Sequence, residues 1–225
     1  NNDWDGSGLV IDDHLFEGGE NSQFHIVKLN RSGGTGEADP VSVAPQLIFN
    51  TPGWDDQLLA DIGDQTVSIE NSVAISGNTV YFANSGGLVQ GWDIAPLLPG
   101  GAGPSAVTRT FRFWTGDDTD ASVVIDDEGM LYVASEYERG TARSAEVGQI
   151  MKLDPTQPDD PLVWSIPDMG ANPAGVWATP AIHRGMLYVP TNGGRLLGVD
   201  RMTGEILWEK SLPGPAWQSP VVVDD

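Results

Sequence analysis

The chain has 225 residues, with 32 acidic and 11 basic side chains and a formal net charge of −21. A field of that sign repels nucleic acid and anionic membrane surfaces, so neither is expected as a partner. The sequence contains no cysteine, which excludes disulfides, thiolate metal sites and cysteine nucleophiles, and no apolar run approaches the roughly 20 residues that span a bilayer.

One pattern recurs along the chain: an apolar strand, a tight turn and a second strand, followed by a third strand and a fourth strand with an aromatic residue. Its copies begin at Ser7, Ser72, Ser122 and Thr179, and a fifth begins at Ser219. Four short strands per repeat predict β-propeller blades. A β-sandwich is the competing fold, but it does not explain the recurring order. The predicted blades are 4–54, 66–115, 119–168 and 176–213, with 217–225 starting a fifth.

The segment from Ala178 to Lys210 contains "GMLYV", "NGGRLLGVD" and "TGEILWE". It resembles the repeat of the PQQ-like, or quinoprotein-type, β-propeller family. The resemblance implies an all-β fold of four-stranded antiparallel blades in one propeller. It also implies that "DRMTGEILW" is a tryptophan docking motif, in which Asp200 and Thr203 order a turn and Trp208 packs between blades.

Rings in this family usually have seven or eight blades, whereas about four are recognised here. We therefore expect a part of a larger propeller, or a homodimer in which two four-blade arcs complete an eight-blade ring. The N-terminal residues do not resemble a signal peptide. The protein is thus cytosolic or begins after an export signal, and the resemblance favours an extracytoplasmic, periplasmic or secreted location.

The residues just before the first strand of each blade should approach one mouth of the propeller channel. They are acidic, amide and aromatic side chains, which suit a hard cation and a flat ligand. In the quinoprotein dehydrogenases of the family, such positions hold Ca²⁺ and stack on pyrroloquinoline quinone (PQQ). The resemblance therefore implies Glu70, Asn71 and Asp120 as metal ligands, and Trp177, Trp217 and Asn71 as cofactor contacts. The vicinal cysteine pair of those enzymes is absent from this sequence.

Two other features bear on binding. The segment "GDDTDAS" from Gly116 offers three carboxylates at a spacing that suits Ca²⁺, although it lacks the glycine and distal glutamate of a helix-loop-helix calcium loop. A solvated turn is the favoured interpretation. The long loops 95–110 and 135–148 should project from the propeller, and residues 136–143 are the predicted partner contact.

The preferred hypothesis is a non-catalytic, extracytoplasmic scaffold or binding propeller for proteins or surface polymers, with no cofactor. The family includes an outer-membrane assembly lipoprotein that uses the repeat without a quinone. A fragment of a PQQ- and Ca²⁺-dependent dehydrogenase is the first alternative. A hydrolase or lyase using channel carboxylates is the second, and it has fold precedent alone, which does not imply function.

Overall fold

The structure is a computed structural model that describes residues 4–33, 41–170 and 174–223. These residues form four sheets of four antiparallel strands and one two-stranded hairpin. In each four-stranded sheet the strands are hydrogen-bonded in chain order, so each sheet is a meander. The prediction of an all-β fold built from propeller blades is confirmed.

The elements follow one another in the order of the repeats. The first blade contains β1 (Leu9–Ile11), β2 (His14–Gly18), β3 (Gln23–Lys28), a hairpin of β4 (Ser32–Gly33) and β5 (Val41–Ser42), and β6 (Gln46–Pro52). After helix α1 (Asp56–Ile62), the second blade contains β7 (Ala74–Ser76), β8 (Thr79–Phe82), β9 (Leu88–Asp93) and β10 (Thr108–Trp114). The third contains β11 (Val124–Ile125), β12 (Leu131–Ala134), helix α2 (Ala142–Val147), β13 (Ile150–Leu153) and β14 (Leu162–Ile166). The fourth contains β15 (Ala181–His183), β16 (Met186–Pro190), β17 (Arg195–Asp200) and β18 (Ile206–Ser211).

The hydrophobic core lies between neighbouring blades rather than within one of them. Successive residues of a strand face opposite sides of the sheet. In β12, Leu131 and Val133 therefore pack against the second blade, while Tyr132 and Ala134 pack against the fourth. All four residues are buried, since the third blade has a neighbour on each face. This arrangement explains why the middle strands are almost continuously apolar.

Short turns connect the first two strands of the blades. In the fourth blade two residues separate β15 from β16, namely Arg184 with φ 48° and Gly185 with φ 84°. Positive φ at both central residues is the requirement of a type I′ hairpin turn, whose twist matches that of the flanking strands. The turn thus closes the hairpin without splaying its strands.

Helix α1 attaches the connection between the first two blades to the outer strand of the second. Asp55 caps the helix by accepting the Leu58 N–H at 2.9 Å. The same carboxylate accepts hydrogen bonds from Arg109 and Arg112 of β10 at 2.7 to 3.0 Å. Leu58 is fully buried between Val67 and Leu88. The second helix, α2, lies within the long loop 135–148.

Within the residues that the structure describes, the fourth blade packs against another blade on one face. Its buried residues on β16 and β17 pack against the third blade. In contrast, every residue of β18 is exposed, including Ile206, Leu207 and Trp208. Three apolar side chains thus lie exposed on the outer strand of this blade.

Candidate functional site

A ladder of hydroxyl groups joins the segments that enter the blades. The backbone N–H of Ser7 donates to Ser72 Oγ, that of Ser72 to Ser122 Oγ, and that of Ser122 to Thr179 Oγ1, each at 2.9 Å. The Thr179 N–H donates to Ser219 Oγ at 3.1 Å. The five starting residues of the sequence repeats are thus equivalent in space, and Ser219 occupies the position that follows the fourth blade.

Because the ladder fixes this register, the residues two positions before each hydroxyl are also equivalent. We call these five residues the mouth arc, after the channel mouth that the sequence analysis expects them to approach: Asp5, Glu70, Asp120, Trp177 and Trp217. Its first three members are acidic and its last two are indoles. The ring centroids of Trp177 and Trp217 are 4.6 Å apart with a tilt of 38°. The arc therefore changes from a charged end to an aromatic end.

Carboxylates are crowded at the acidic end of the arc. Asp5, Glu20 and Glu70 each place an oxygen within 4.8 Å of the other two. The hydroxyl of Ser68 donates to Glu70. A cleft of about 390 Å³ opens beside these residues, lined by Glu20, Asn21, Ser22, Thr66, Val67, Ser68 and Glu70. This end of the mouth is consequently suited to a cationic group.

A second group of carboxylates lies deeper, at the entry to the third blade. Asp118, Asp120 and Glu136, which we call the carboxylate triad, also place one oxygen each within 4.8 Å of the others. Asp118 and Asp120 belong to the connection between β10 and β11, while Glu136 follows β12. The Glu136 N–H donates to the Asp118 carbonyl at 2.8 Å, which holds the two segments together.

Burial and mutual repulsion disfavour the charged forms of the triad. Burial raises the pKa of Asp118, and the charges of Asp120 and Glu70 raise it further. Burial likewise raises the pKa of Asp120 and Glu136, and the neighbouring carboxylates add to the effect. Arg139 partly offsets the repulsion at Asp118, but its guanidinium lies 3.5 Å from the carboxylate of Asp64.

A third aspartate of the same segment has a structural role. Asp117 is fully buried and accepts the backbone N–H groups of Glu138, Arg139 and Gly140 at 2.8 to 3.2 Å. It therefore anchors the loop that follows Glu136. "GDDTDAS" is thus a largely buried segment rather than the solvated turn favoured from the sequence.

The sequence-predicted site residues fall into two sets. Glu70 and Asp120 lie close enough for a direct side-chain interaction, and Trp177 contacts Trp217. Asn71 is different, because its Nδ2 donates to the Thr119 carbonyl at 2.8 Å and its Oδ1 accepts the Ala83 N–H at 3.1 Å. With 2% of its surface exposed, Asn71 connects the second and third blades through its amide.

Glu136 is the site residue that the sequence analysis did not place with the carboxylates. The N–H groups of Ser85, Glu136 and Asn192 donate to the carbonyl four residues before the ladder hydroxyl of their blade, so these three positions are equivalent. Among these three blades, the recurring position holds Ser in the second, a carboxylate in the third and Asn in the fourth. An alignment of the repeats on Tyr81, Tyr132 and Tyr188 contains this signal, because each tyrosine precedes the recurring position by four residues.

In the predicted partner-contact segment 136–143, the Arg143 side chain is engaged by contacts within the protein. Arg143 lies over the Phe113 ring, 5.5 Å from its centroid, and donates to the Trp114 carbonyl at 3.2 Å. Glu138, Arg139 and Gly140 are exposed. The accessible part of this loop is therefore its tip.

The turn of the fourth blade is ordered by side-chain hydrogen bonds. Asp200 Oδ1 accepts the N–H groups of Met202 and Thr203 and the Thr203 hydroxyl at 2.8 to 3.1 Å. Trp164 of the preceding blade donates its Nε1–H to the Arg201 carbonyl at 3.2 Å. The aspartate, the turn and the indole of the neighbouring blade thus form one contact between blades.

Meander blades, inter-blade cores and side-by-side entry segments define a β-propeller fold. The family model described as "Outer membrane protein assembly factor BamB" matches residues 146–225. Among curated proteins, no match was found.

Two solved structures share the fold at low sequence identity. BamB from Moraxella catarrhalis is 14% identical, with a TM-score of 0.63 over 97% of this chain and 55% of that chain. The computationally designed Ika8 protein is 10% identical, with a TM-score of 0.53 over 97% of this chain and 65% of that one. The chain thus spans about half of the first relative and less than two thirds of the second. Among the described residues, no helix is long and apolar enough to cross a membrane.

Proposed function

We propose that this chain is a non-catalytic binding propeller that holds a basic segment of a partner protein at the mouth arc. The observation that carries the proposal is the arrangement of the arc, in which three carboxylates are followed by a pair of contacting indoles. Trp217 is 57% exposed, so its ring is accessible to a ligand. Lysine and arginine side chains can pair with carboxylates and also interact with the face of an indole.

The charge of the whole chain supports a basic partner. A net charge of −21 attracts positively charged segments over distances longer than a contact. The exposed tip of the 136–143 loop adds a second surface near the triad. The arc would therefore fix the position of the partner, while the surrounding field would increase its association rate.

The relatives support a protein partner and an extracytoplasmic location. The family description names an outer membrane protein assembly factor, and the similar structure from Moraxella catarrhalis is a BamB. An assembly factor acts by contact with other proteins, and a location outside the cytoplasm would follow from the same kinship. A surface polymer is the alternative partner. Binding of a basic peptide would favour the protein partner over the polymer.

The test is a titration with short synthetic peptides rich in arginine and lysine, followed by tryptophan fluorescence and by calorimetry. Acidic peptides of the same length are the ligand control. We expect saturable binding of the basic peptides, weakened about tenfold by Asp120→Asn or Trp217→Ala, since a contact with a charged or aromatic anchor contributes on the order of 1–2 kcal/mol. Binding that distinguishes neither peptide charge nor these variants would contradict the proposal.

Matched controls are available on the same chain. Trp208→Ala removes another exposed indole, which lies on the outer strand of the fourth blade. Asp159→Asn removes one exposed negative charge from the connection between β13 and β14. Both variants should bind the basic peptides as the parent chain does, because neither residue belongs to the mouth arc.

A second candidate is a fragment of a PQQ- and Ca²⁺-dependent dehydrogenase, and the Trp177–Trp217 pair favours it as an aromatic contact for a flat ligand. Glu70 and Asp120 would supply oxygen donors for the cation, and the quinone would supply the redox chemistry. The fit is incomplete, because the Asn71 amide is engaged with the backbone of two blades.

This candidate predicts saturable quenching of tryptophan fluorescence by PQQ that requires Ca²⁺ and weakens in Glu70→Gln. Free tryptophan is the control for absorption by the quinone. Quenching that is linear in PQQ, or equal with and without Ca²⁺, would remove the dehydrogenase hypothesis and leave the peptide-binding proposal intact.

A further inference from the structure

We propose that the carboxylate triad of Asp118, Asp120 and Glu136 binds one Ca²⁺ ion. One oxygen of each residue lies within 4.8 Å of the other two. Two oxygens that share a Ca²⁺ ion at about 2.3–2.6 Å can be at most about 5 Å apart. The present spacing therefore allows all three oxygens to coordinate the same ion with small side-chain movements.

A second observation separates the triad from an ordinary group of surface acids. Glu136 is only 3% exposed, and its oxygen points towards Asp118 and Asp120. Asp118 Oδ1 and Asp120 Oδ1 are inaccessible to solvent and have no hydrogen-bond partner among the described residues. Buried acceptors without donors are costly, and a cation would satisfy both of these aspartate oxygens at once.

The nearby charges do not provide that compensation from within the described chain. Arg139 is the basic group that lowers the repulsion at Asp118, but it pairs with Asp64. Glu70 faces the triad from the second blade and adds a further negative charge, while the Gly175 backbone that pairs with Glu136 is neutral. The electrostatic field at the triad thus favours a divalent cation.

The donor set favours Ca²⁺ over transition metals. All three side chains offer hard carboxylate oxygens, and neither imidazole nor thiolate belongs to the group. Ca²⁺ accepts irregular oxygen shells, whereas Mg²⁺ requires a nearly octahedral one. This set shares Asp120 with the ligands predicted from the sequence, but it contains Asp118 and Glu136 in place of Glu70 and Asn71.

The test uses the chelator-stripped protein and Ca²⁺ alone, so it is independent of any partner or quinone. We expect saturable heat of binding and a rise in Tm of roughly 5 °C at a hundredfold excess over Kd. Glu136→Gln should weaken Ca²⁺ affinity at least tenfold. The same variant should keep the Tm of the metal-free protein, because burial and the neighbouring carboxylates raise the pKa of Glu136 and favour its neutral form, which the Gln amide resembles in size.

Two variants serve as controls, and Glu20→Gln also tests whether Ca²⁺ binds at the triad or at the neighbouring acidic group. Asp159→Asn, an exposed change of the same charge, should leave the Ca²⁺ response unaltered. Glu20→Gln alters the neighbouring acidic group of Asp5, Glu20 and Glu70 and should also leave it unaltered. The proposal is overturned by a parent chain that shows no saturable response to millimolar Ca²⁺, by an equal response in Glu136→Gln, or by a response lost in Glu20→Gln alone.

Discussion

Trp164 lies directly on Gly204 of the next blade: a Cβ atom at Gly204 would be 2.8 Å from Trp164 Cδ2. Gly204 also has φ 75°, a conformation that L side chains rarely adopt. The turn therefore needs glycine both for its backbone and for the indole above it. A hydrogen bond from the Trp164 indole N–H to the Arg201 carbonyl completes the contact.

A comparison of two glycine variants separates the backbone requirement at Gly204 from its contact with the indole. Gly204→Ala should lower the free energy of unfolding by about 2–4 kcal/mol, as overpacking adds to backbone strain. Gly185→Ala is the matched control, since Gly185 has φ 84° but no heavy atom within 4 Å of its added Cβ. It should cost only about 1 kcal/mol. Urea unfolding measures both, and equal losses would contradict a role for the indole contact.

The hydroxyl ladder predicts a specific loss in the third blade. Ser122→Ala leaves the Ser72 N–H without its acceptor, so we expect a loss of about 1–2 kcal/mol and faster hydrogen exchange at that amide. Ser122→Thr should retain the parent values, since Thr179 performs the same task in the fourth blade. Unchanged exchange of the Ser72 amide in Ser122→Ala would show that the ladder adds no stability.

The Asn71 amide gives a third prediction. Asn71→Ala removes a donor to the Thr119 carbonyl and an acceptor for the Ala83 N–H. We expect a loss of about 3 kcal/mol in the free energy of unfolding, because two buried backbone groups remain unsatisfied. This loss should be the same with and without Ca²⁺. A loss that appears only with Ca²⁺ would instead identify Asn71 as a metal ligand.

Asp55 should make stability depend on pH. The hydrogen bond from Arg112 is the main cause that holds the pKa of this carboxyl well below its usual range. Its contribution is therefore complete above the unfolded pKa of about 4 and is lost as the pH falls towards the lower pKa of the folded state. Thermal unfolding from pH 6 to pH 3 should show a flatter decline in Asp55→Asn than in the parent chain. Parallel curves would contradict the assignment.

The exposed outer strand of the fourth blade predicts self-association. Trp208 is 39% exposed beside exposed Ile206 and Leu207. A dimer that covers this face should form more readily at high salt, which screens the repulsion between two acidic chains. Leu207→Glu should weaken it, as measured by sedimentation velocity. A monodisperse monomer at every protein and salt concentration would exclude the dimer predicted from the sequence.

Much of the fold was predictable because strand patterns and turn residues are local signals. The repeat starts identified from the sequence are the residues of the hydroxyl ladder, and the meander order follows from short turns such as Arg184–Gly185. Helix α1 was not predicted. Asp55 and Leu58 anchor this seven-residue helix through partners that are distant in sequence, namely Arg109, Arg112 and Leu88.

The candidate site was predictable only in part. The sequence predicted Glu70, Asp120, Trp177 and Trp217 at a channel mouth, and the structure shows that they occupy equivalent positions, each two residues before a ladder hydroxyl. It did not indicate that the Asn71 amide is engaged by two blades. Nor did it join Glu136 to Asp118 and Asp120.

The sequence by itself determined the four-stranded repeats, their order and the equivalent residues before each first strand, because all of these follow from local strand and turn patterns. Only the tertiary structure decided which carboxylates meet. The packing of β12 against the neighbouring entry segment brings Glu136 to Asp118, and it buries their oxygens away from water. Contacts between distant segments set that burial, and burial is what turns ordinary acidic residues into a candidate cation site.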